Sequence, residues 1–134
     1  MRQTQFKEVI ILSAELSSND HATNDFNTHK LINKLRSHMI LSNKATGVYK
    51  GSKEVSFVTL PKNDRELAYV KSVAFSDFNQ ESVLYQDKHG DAFLIYSCGK
   101  KEAIGQLRKL GTKNVDHLEN YTIMNGDIYS TKGF

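Results

Sequence analysis

TGVYKGSKEVSFVTLPKNDRE, Thr46 to Glu66, reverses the chain twice within about twenty residues, and the flanking segments must fit around it. Thr46 to Tyr49 reads as the end of a strand, and Lys50-Gly51-Ser52-Lys53 supplies turn chemistry. From Lys53 onward, Val55, Phe57 and Thr59 alternate with Glu54, Ser56 and Val58, the two-residue period of a strand with two different faces. Pro61 has no N–H to give and stops the strand. Asn63 can then accept from the free donors of a new helix while Glu66, three residues on, reaches back, a variant of the capping box.

Upstream, Phe6 to Leu16 contains Val9-Ile10-Ile11-Leu12 without a polar break, which suits a central strand covered on both faces. Ser17 to Asn27 is rich in cap formers and reads as a loop leading to a helix. Leu31, Ile32, Leu35 and Met39 recur at helical spacing, with Lys30, Asn33, Lys34 and Arg36 opposite. Ile40–Tyr49 and Lys53–Leu60 then form two strands joined at Gly51. Downstream, a second helix runs from about Asp64 to Phe78, its stripe Leu67, Val70, Ala74 and Phe78. Ser82–Tyr85 and Ala92–Tyr96 make a hairpin around Asp87–Asp91. Gly99 opens a shorter helix, Lys101 to Leu110, with Ile104 and Leu107 inward and Gly111 as a left-handed stop. Tyr121–Ile123 and Ile128–Tyr129 flank Asn125-Gly126, a strong hairpin signal.

Strand, helix, strand, strand, helix, strand is the order of a ferredoxin-like split βαβ fold. The expectation is a single α+β domain over residues 1–134: an antiparallel sheet, two helices on one face, and a C-terminal extension. Val58 and the later strand aromatics make the second face too apolar to stay wet, so another copy of the chain is expected to cover it.

Composition removes several function classes. A chain of 134 residues with 39% apolar residues, one Pro and eight Gly is a folded domain with a real core. The single Cys98 cannot form an internal disulfide, and after a strand it reads as a small core or edge residue. The N-terminal apolar run ends at Glu15, too short for a membrane span or a convincing signal peptide, so the chain reads as cytoplasmic. A net charge of +3 and a pI near 8.9 permit an anionic partner without demanding one. His21, His29, His38, His89 and His117 lack metal-ligand spacing, and the glycines are too isolated for a phosphate loop, so no metal and no cofactor are expected. Lys53–Leu60 loosely follows an RNA-recognition strand. Glu54 stands where that strand needs Gly, Val55 replaces an aromatic, and the first strand offers no stacking platform.

TGVYK at Thr46–Lys50, SVLY at Ser82–Tyr85 and FLIYSCG at Phe93–Gly99, with Ser13-Ala14 on the first strand and a His- and Arg-containing helix over His29–His38, resemble the small phage enzymes that degrade S-adenosylmethionine. That family, formerly called hydrolases, is better described as lyases. The resemblance covers about residues 8 to 99 and weakens near Glu66 and beyond Gly111. It implies S-adenosylmethionine as the small-molecule substrate, a homotrimer built like the nitrogen-regulatory PII proteins with ligand held between subunits, no metal, and residence in the cytoplasm of the infected bacterial host. It also implies a reaction in which the substrate's own carboxylate attacks Cγ, releasing methylthioadenosine and forming homoserine lactone. Intramolecular attack of this kind gains effective molarities on the order of 10⁵ M or more.

Such a site needs acceptors for the ammonium, apolar walls for the adenine, and few cations gripping the nucleophilic carboxylate. Under the resemblance Glu66 is the first candidate for electrostatic support of the cationic substrate, against its ordinary role as capping partner of Asn63. Glu102 is the second, against a helix-dipole role. Tyr49 could bond a ribose hydroxyl or simply pack across strands, and Phe57, Tyr85 and Tyr96 could stack on adenine or simply fill the core. Two readings from other classes are a non-catalytic PII-like sensor of adenine nucleotide or S-adenosylmethionine, and an RNA-binding module.

Overall fold

The computed structural model describes residues 6–49, 52–110 and 120–131. Its elements are β1 (Val9–Ser13), α1 (His21–Ser37), β2 (Leu41–Tyr49), β3 (Ser52–Leu60), α2 (Asp64–Ser72), β4 (Ser82–Gln86), β5 (Asp91–Tyr96), β6 (Lys101–Gln106), β7 (Arg108–Leu110), β8 (Asn120–Met124) and β9 (Asp127–Ser130). A π-helical turn, Val73–Asp77, continues α2. The strands form one antiparallel sheet in the order β6-β5-β4-β1-β3-β2-β8-β9-β7. The architecture is α+β, and none of the described helices is long and apolar enough to cross a membrane.

Sheet order and chain order together dictate the shape. β6 and β7 lie at opposite edges of the sheet, yet only Leu107 separates them in the chain. The two edges must therefore meet, and the sheet curls until it is nearly a barrel. At the seam, a Cβ on Gly105 of β6 would stand 3.6 Å from the carbonyl oxygen of Thr131, just past β9.

The convex face carries the helices. Asp20 caps α1 by accepting from the Thr23 N–H at 2.8 Å, and Asn63 caps α2 by accepting from the Glu66 N–H at 2.9 Å. Strand alternation turns Ile10, Leu12, Phe57 and Val83 toward Leu31 and Leu35 of α1 and toward Val70, Val73, Ala74 and Phe78, which together form the main core. Thr59 is buried among them because its Oγ1 donates to the Ile10 carbonyl at 2.9 Å. The concave face has a smaller cluster, Val9, Ile11, Ala45 and Val58, joined by Leu84, Leu107 and Met124.

Besides α1, which starts at His21 under the Asp20 cap and so takes in the second part of the Ser17–Asn27 segment read as a loop, three expectations change. Lys101–Leu110 is not a helix but β6, Leu107 and β7. Gly99 (φ +95°) belongs to a tight turn in which its N–H donates to Tyr96 O at 2.9 Å and Tyr96 N–H donates to Lys100 O at 2.9 Å. Gly105 (φ +102°) then sits near the irregularity in the β5–β6 register, a conformation no helix interior can take. Second, the concave apolar face is lined by the curled sheet itself, so Val58 is 8% exposed without a second copy. Third, Met39 lies outside the α1 stripe: it is 76% exposed with φ +56°. The expected turn at Gly51 and stop at Gly111 lie outside the described residues.

Met39 ends α1 in a Schellman arrangement, with Met39 N–H donating to Arg36 O (3.0 Å) and Ile40 N–H to Leu35 O (2.9 Å). A Cβ in the left-handed region is strained, and Gly removes that strain at some cost in unfolded-chain entropy. Met39→Gly should therefore raise stability by about 0.5–1 kcal/mol in urea unfolding. A loss of stability would show that the exposed side chain makes a contribution the geometry does not reveal.

Candidate functional site

The concave face encloses a cleft of about 530 Å³, within the range of pockets that hold small ligands. Alternation along the strands decides what enters it: Ser13, Glu54, Ser56, Leu94, Tyr96 and Glu102 face inward, and β8 and β9 close the far wall. Although the chain carries a net charge of +3, the cleft is lined by no Lys, Arg or His among the described residues. The ionisable side chains that the strand register turns into it are the carboxyls of Glu54 and Glu102 and the phenols of Tyr96 and Tyr129.

Glu54 sits opposite Gly47 in the β2–β3 register. A side chain at Gly47 would crowd this wall, since its Cβ would lie 2.7 Å from Ser56 Oγ and 3.6 Å from Glu54 Cγ. Glu54 is exposed over part of its surface, yet removal of its carboxyl from water, with a further push from the Glu15 carboxylate, raises its pKa from the ordinary 4.5 to about 7. Glu15 is held in place for that effect: its Oε2 accepts from Val55 N–H at 3.1 Å, its N–H donates to Ser13 Oγ at 3.0 Å, and its carbonyl accepts from Gln80 Nε2 at 3.0 Å. Across the cleft, Tyr96 Oη donates to Glu102 Oε1 at 3.0 Å, and the Lys100 ammonium stands 5.7 Å from the Tyr96 ring centroid.

Two of the residues singled out in the sequence, Glu102 and Tyr96, meet in the cleft. Glu102 arrives there on a strand, which removes its helix-dipole alternative. Glu66 lies outside the cleft lining of its own chain and caps α2, its Oε1 accepting from Lys62 N–H at 2.9 Å. Phe57 is 3% exposed in the core under the helices. Tyr85 lies on the convex side, where its Oη donates to Glu8 Oε2, its ring stacks on Phe93 and burial pushes the phenol pKa upward. Tyr49 ends β2, its backbone between Ser52 and Asn120. Sequence reading missed Glu54 as a site residue. The signal was present: on the face defined by Val58 and Ser56, the one charged residue of the strand's inner row is Glu54.

Compared with models of protein families, the chain matches the S-Adenosylmethionine lyase family over residues 10–132. No curated protein matches it.

A folded-state pKa above the ordinary value means that the folded chain keeps the Glu54 proton through an interval where the unfolded chain has lost it. Glu54 therefore opposes folding above about pH 7, and this is relieved as the pH falls toward 4.5. Two outcomes are expected. Glu54→Gln should melt higher than the parent at pH 8, with the gap closing toward pH 5. Affinity for a cationic ligand, read as KM for a sulfonium substrate, should weaken in the parent as pH drops through about 7 and flatten in Glu54→Gln. Parallel profiles for the two proteins would remove Glu54 from the site.

Proposed function

We propose that this chain, which belongs to the S-adenosylmethionine lyase family, binds its substrate in the concave cleft and lets the substrate's own carboxylate displace methylthioadenosine. The observation that carries this reading is that, among the described residues, no Lys, Arg or His lines a cleft that holds two carboxyls. The substrate brings a sulfonium and an ammonium, which Glu54 and Glu102 attract. Its carboxylate meets no cation in that lining and stays free to fold onto Cγ. A carboxylate oxygen forms the O–Cγ bond as the S–Cγ bond breaks, the electron pair passing to sulfur. The products are neutral methylthioadenosine and homoserine lactone, which keeps its ammonium.

No general base is required, and the cleft's contribution is shape. Holding carboxylate and Cγ at contact distance supplies the proximity term, and apolar walls such as Leu84, Leu94 and Ile104 keep out water that would compete. The tyrosine–carboxyl pair Tyr96–Glu102 offers one acceptor oxygen to the ammonium while the phenol fixes the other.

The strand order β4-β1-β3-β2 with two helices on the convex side supports a ferredoxin-like reading of the first half of the chain. The family resemblance extends this to a PII-like homotrimer of phage origin acting in the host cytoplasm. In a trimer with shared sites, Glu66 acts on a neighbouring copy's cleft; in a monomer it does not act at all. Glu66→Gln with an unchanged melting temperature and at least tenfold lower turnover supports the shared site. Unchanged turnover leaves Glu66 as a helix cap.

The mechanism is tested in water enriched in heavy oxygen. Homoserine lactone should be the first product, carrying no solvent oxygen on Cγ, with label entering only at the carboxyl as the lactone opens. Solvent oxygen on Cγ at the first turnover would mean direct hydrolysis and overturn the reading. Glu102→Gln should lower kcat/KM about tenfold or more, since a charge-assisted contact in a partly desolvated cleft is lost. Binding of S-adenosylmethionine without either product would favour the sensor.

A further inference from the structure

Two buried side-chain polar atoms among the described residues have no hydrogen-bond partner, Thr28 Oγ1 and Asn120 Oδ1. A buried acceptor without a donor costs free energy, and its persistence calls for a reason. Thr28 lies on α1, on the far side of the sheet from the cleft. Asn120 lines the cleft at the start of β8, beside Tyr121 and along the same wall as Tyr129. Its backbone is secured independently of its side chain: Ser130 Oγ donates to the Asn120 carbonyl at 3.0 Å, and β8 pairs with β2 through Tyr49↔Asn120.

The structure thus secures the backbone at Asn120 and leaves its side-chain carbonyl, enclosed by protein atoms, with nothing to accept from. We infer that Asn120 is the specificity-determining residue for the base of the substrate, its Oδ1 accepting a hydrogen bond from the exocyclic amino group of the adenine; this rests on the adenosyl substrate proposed above. Chemistry separates the possible donors. The ammonium carries a charge and goes to Glu54 or Glu102, where a charge-assisted bond is stronger. Ribose hydroxyls donate and accept, so the hydroxyls of Ser56, Ser82 or Thr122 serve them equally well. The amino group of adenine is a neutral donor on a flat apolar ring. It wants a neutral carbonyl next to an aromatic wall, as Asn120 has in Tyr129, diagonal to it across the β8–β9 pair. Turning the amide toward a seated base needs rotation about its terminal torsion, which is soft.

The test uses two neutral nucleosides, 5′-methylthioadenosine and 5′-methylthioinosine, which differ in having an amino donor or a carbonyl acceptor at the base. Titration calorimetry on the full chain should show the adenine form bound roughly tenfold or more tightly, the scale of one buried acceptor left unpaired or opposed. In Asn120→Leu the preference should shrink to within about threefold while the melting temperature stays level or rises, because an orphaned acceptor has been removed. Asn120→Asp, which keeps an acceptor oxygen, should retain the preference. A parent protein that binds both nucleosides equally, or neither, overturns the inference, as does an Asn120→Leu variant that keeps the parental preference. If the adenine preference depends on Asn120 but S-adenosylmethionine is not cleaved, the proposed reaction fails and this assignment stands. Cleavage without any base preference overturns the assignment and leaves the proposed reaction standing.

Discussion

Leu107 is the constraint on which the site depends. One residue cannot span a flat nine-stranded sheet, so joining β6 to β7 across Leu107 forces the two edges together and bends every strand between them. The bend converts the face opposite the helices from an open surface into the wall of a cleft. Leu107 also packs against the concave cluster of Val9, Ile11, Ala45 and Val58, so the seam is held by apolar contact as well as by chain continuity. Had β6 been the expected helix, the sheet would have stayed open, and Glu102 would not stand beside Tyr96 on Glu54's side of the molecule.

Much of the fold was legible because its first half has strong, local periodicity. Val9-Ile10-Ile11-Leu12, the Leu31/Leu35 spacing, the alternation through Ser52–Leu60 and the Asn63–Glu66 cap each specify their element without reference to distant residues. The failure at Lys101–Leu110 has an equally local cause. Ile104 and Leu107 are three apart, which suits a helix, but on an edge strand with a Gly105 irregularity the same spacing turns both side chains into the cleft. The better signal lay just upstream. Asp87-Lys88-His89-Gly90-Asp91 and Tyr96-Ser97-Cys98-Gly99-Lys100 place glycine at the same position, and both form turns with glycine at positive φ. Closure of the sheet was not legible, since it depends on which edges meet, and nothing within a short window of sequence encodes that.

The candidate site divides along the same line. Glu102 and Tyr96 could be named from residue type, but their partnership needed β5 and β6 to pair, because only then does the Tyr96 phenol reach Glu102. Phe57 was singled out for its aromatic ring, yet alternation sends it to the helices and sends its neighbours Ser56 and Val58 to the cleft side. Glu54 shares that inner row. Its character comes from tertiary surroundings: Gly47 leaves room beside it and Glu15 is anchored near it, so the carboxyl is held near neutrality by burial and like charge.

On the proposed reaction, the same electrostatics bear on turnover. A desolvated carboxyl with a raised pKa attracts a positive ligand more strongly than an exposed one, because the ligand's charge both offsets the desolvation of Glu54 and draws its proton off. Cleavage of the S–Cγ bond removes the sulfonium, and neutral methylthioadenosine then has only neutral hydrogen bonds and apolar contacts to hold it. A cleft that distinguishes substrate from product by one positive charge binds the first and releases the second without a large conformational change, which suits a sheet whose edges are tied by a single residue.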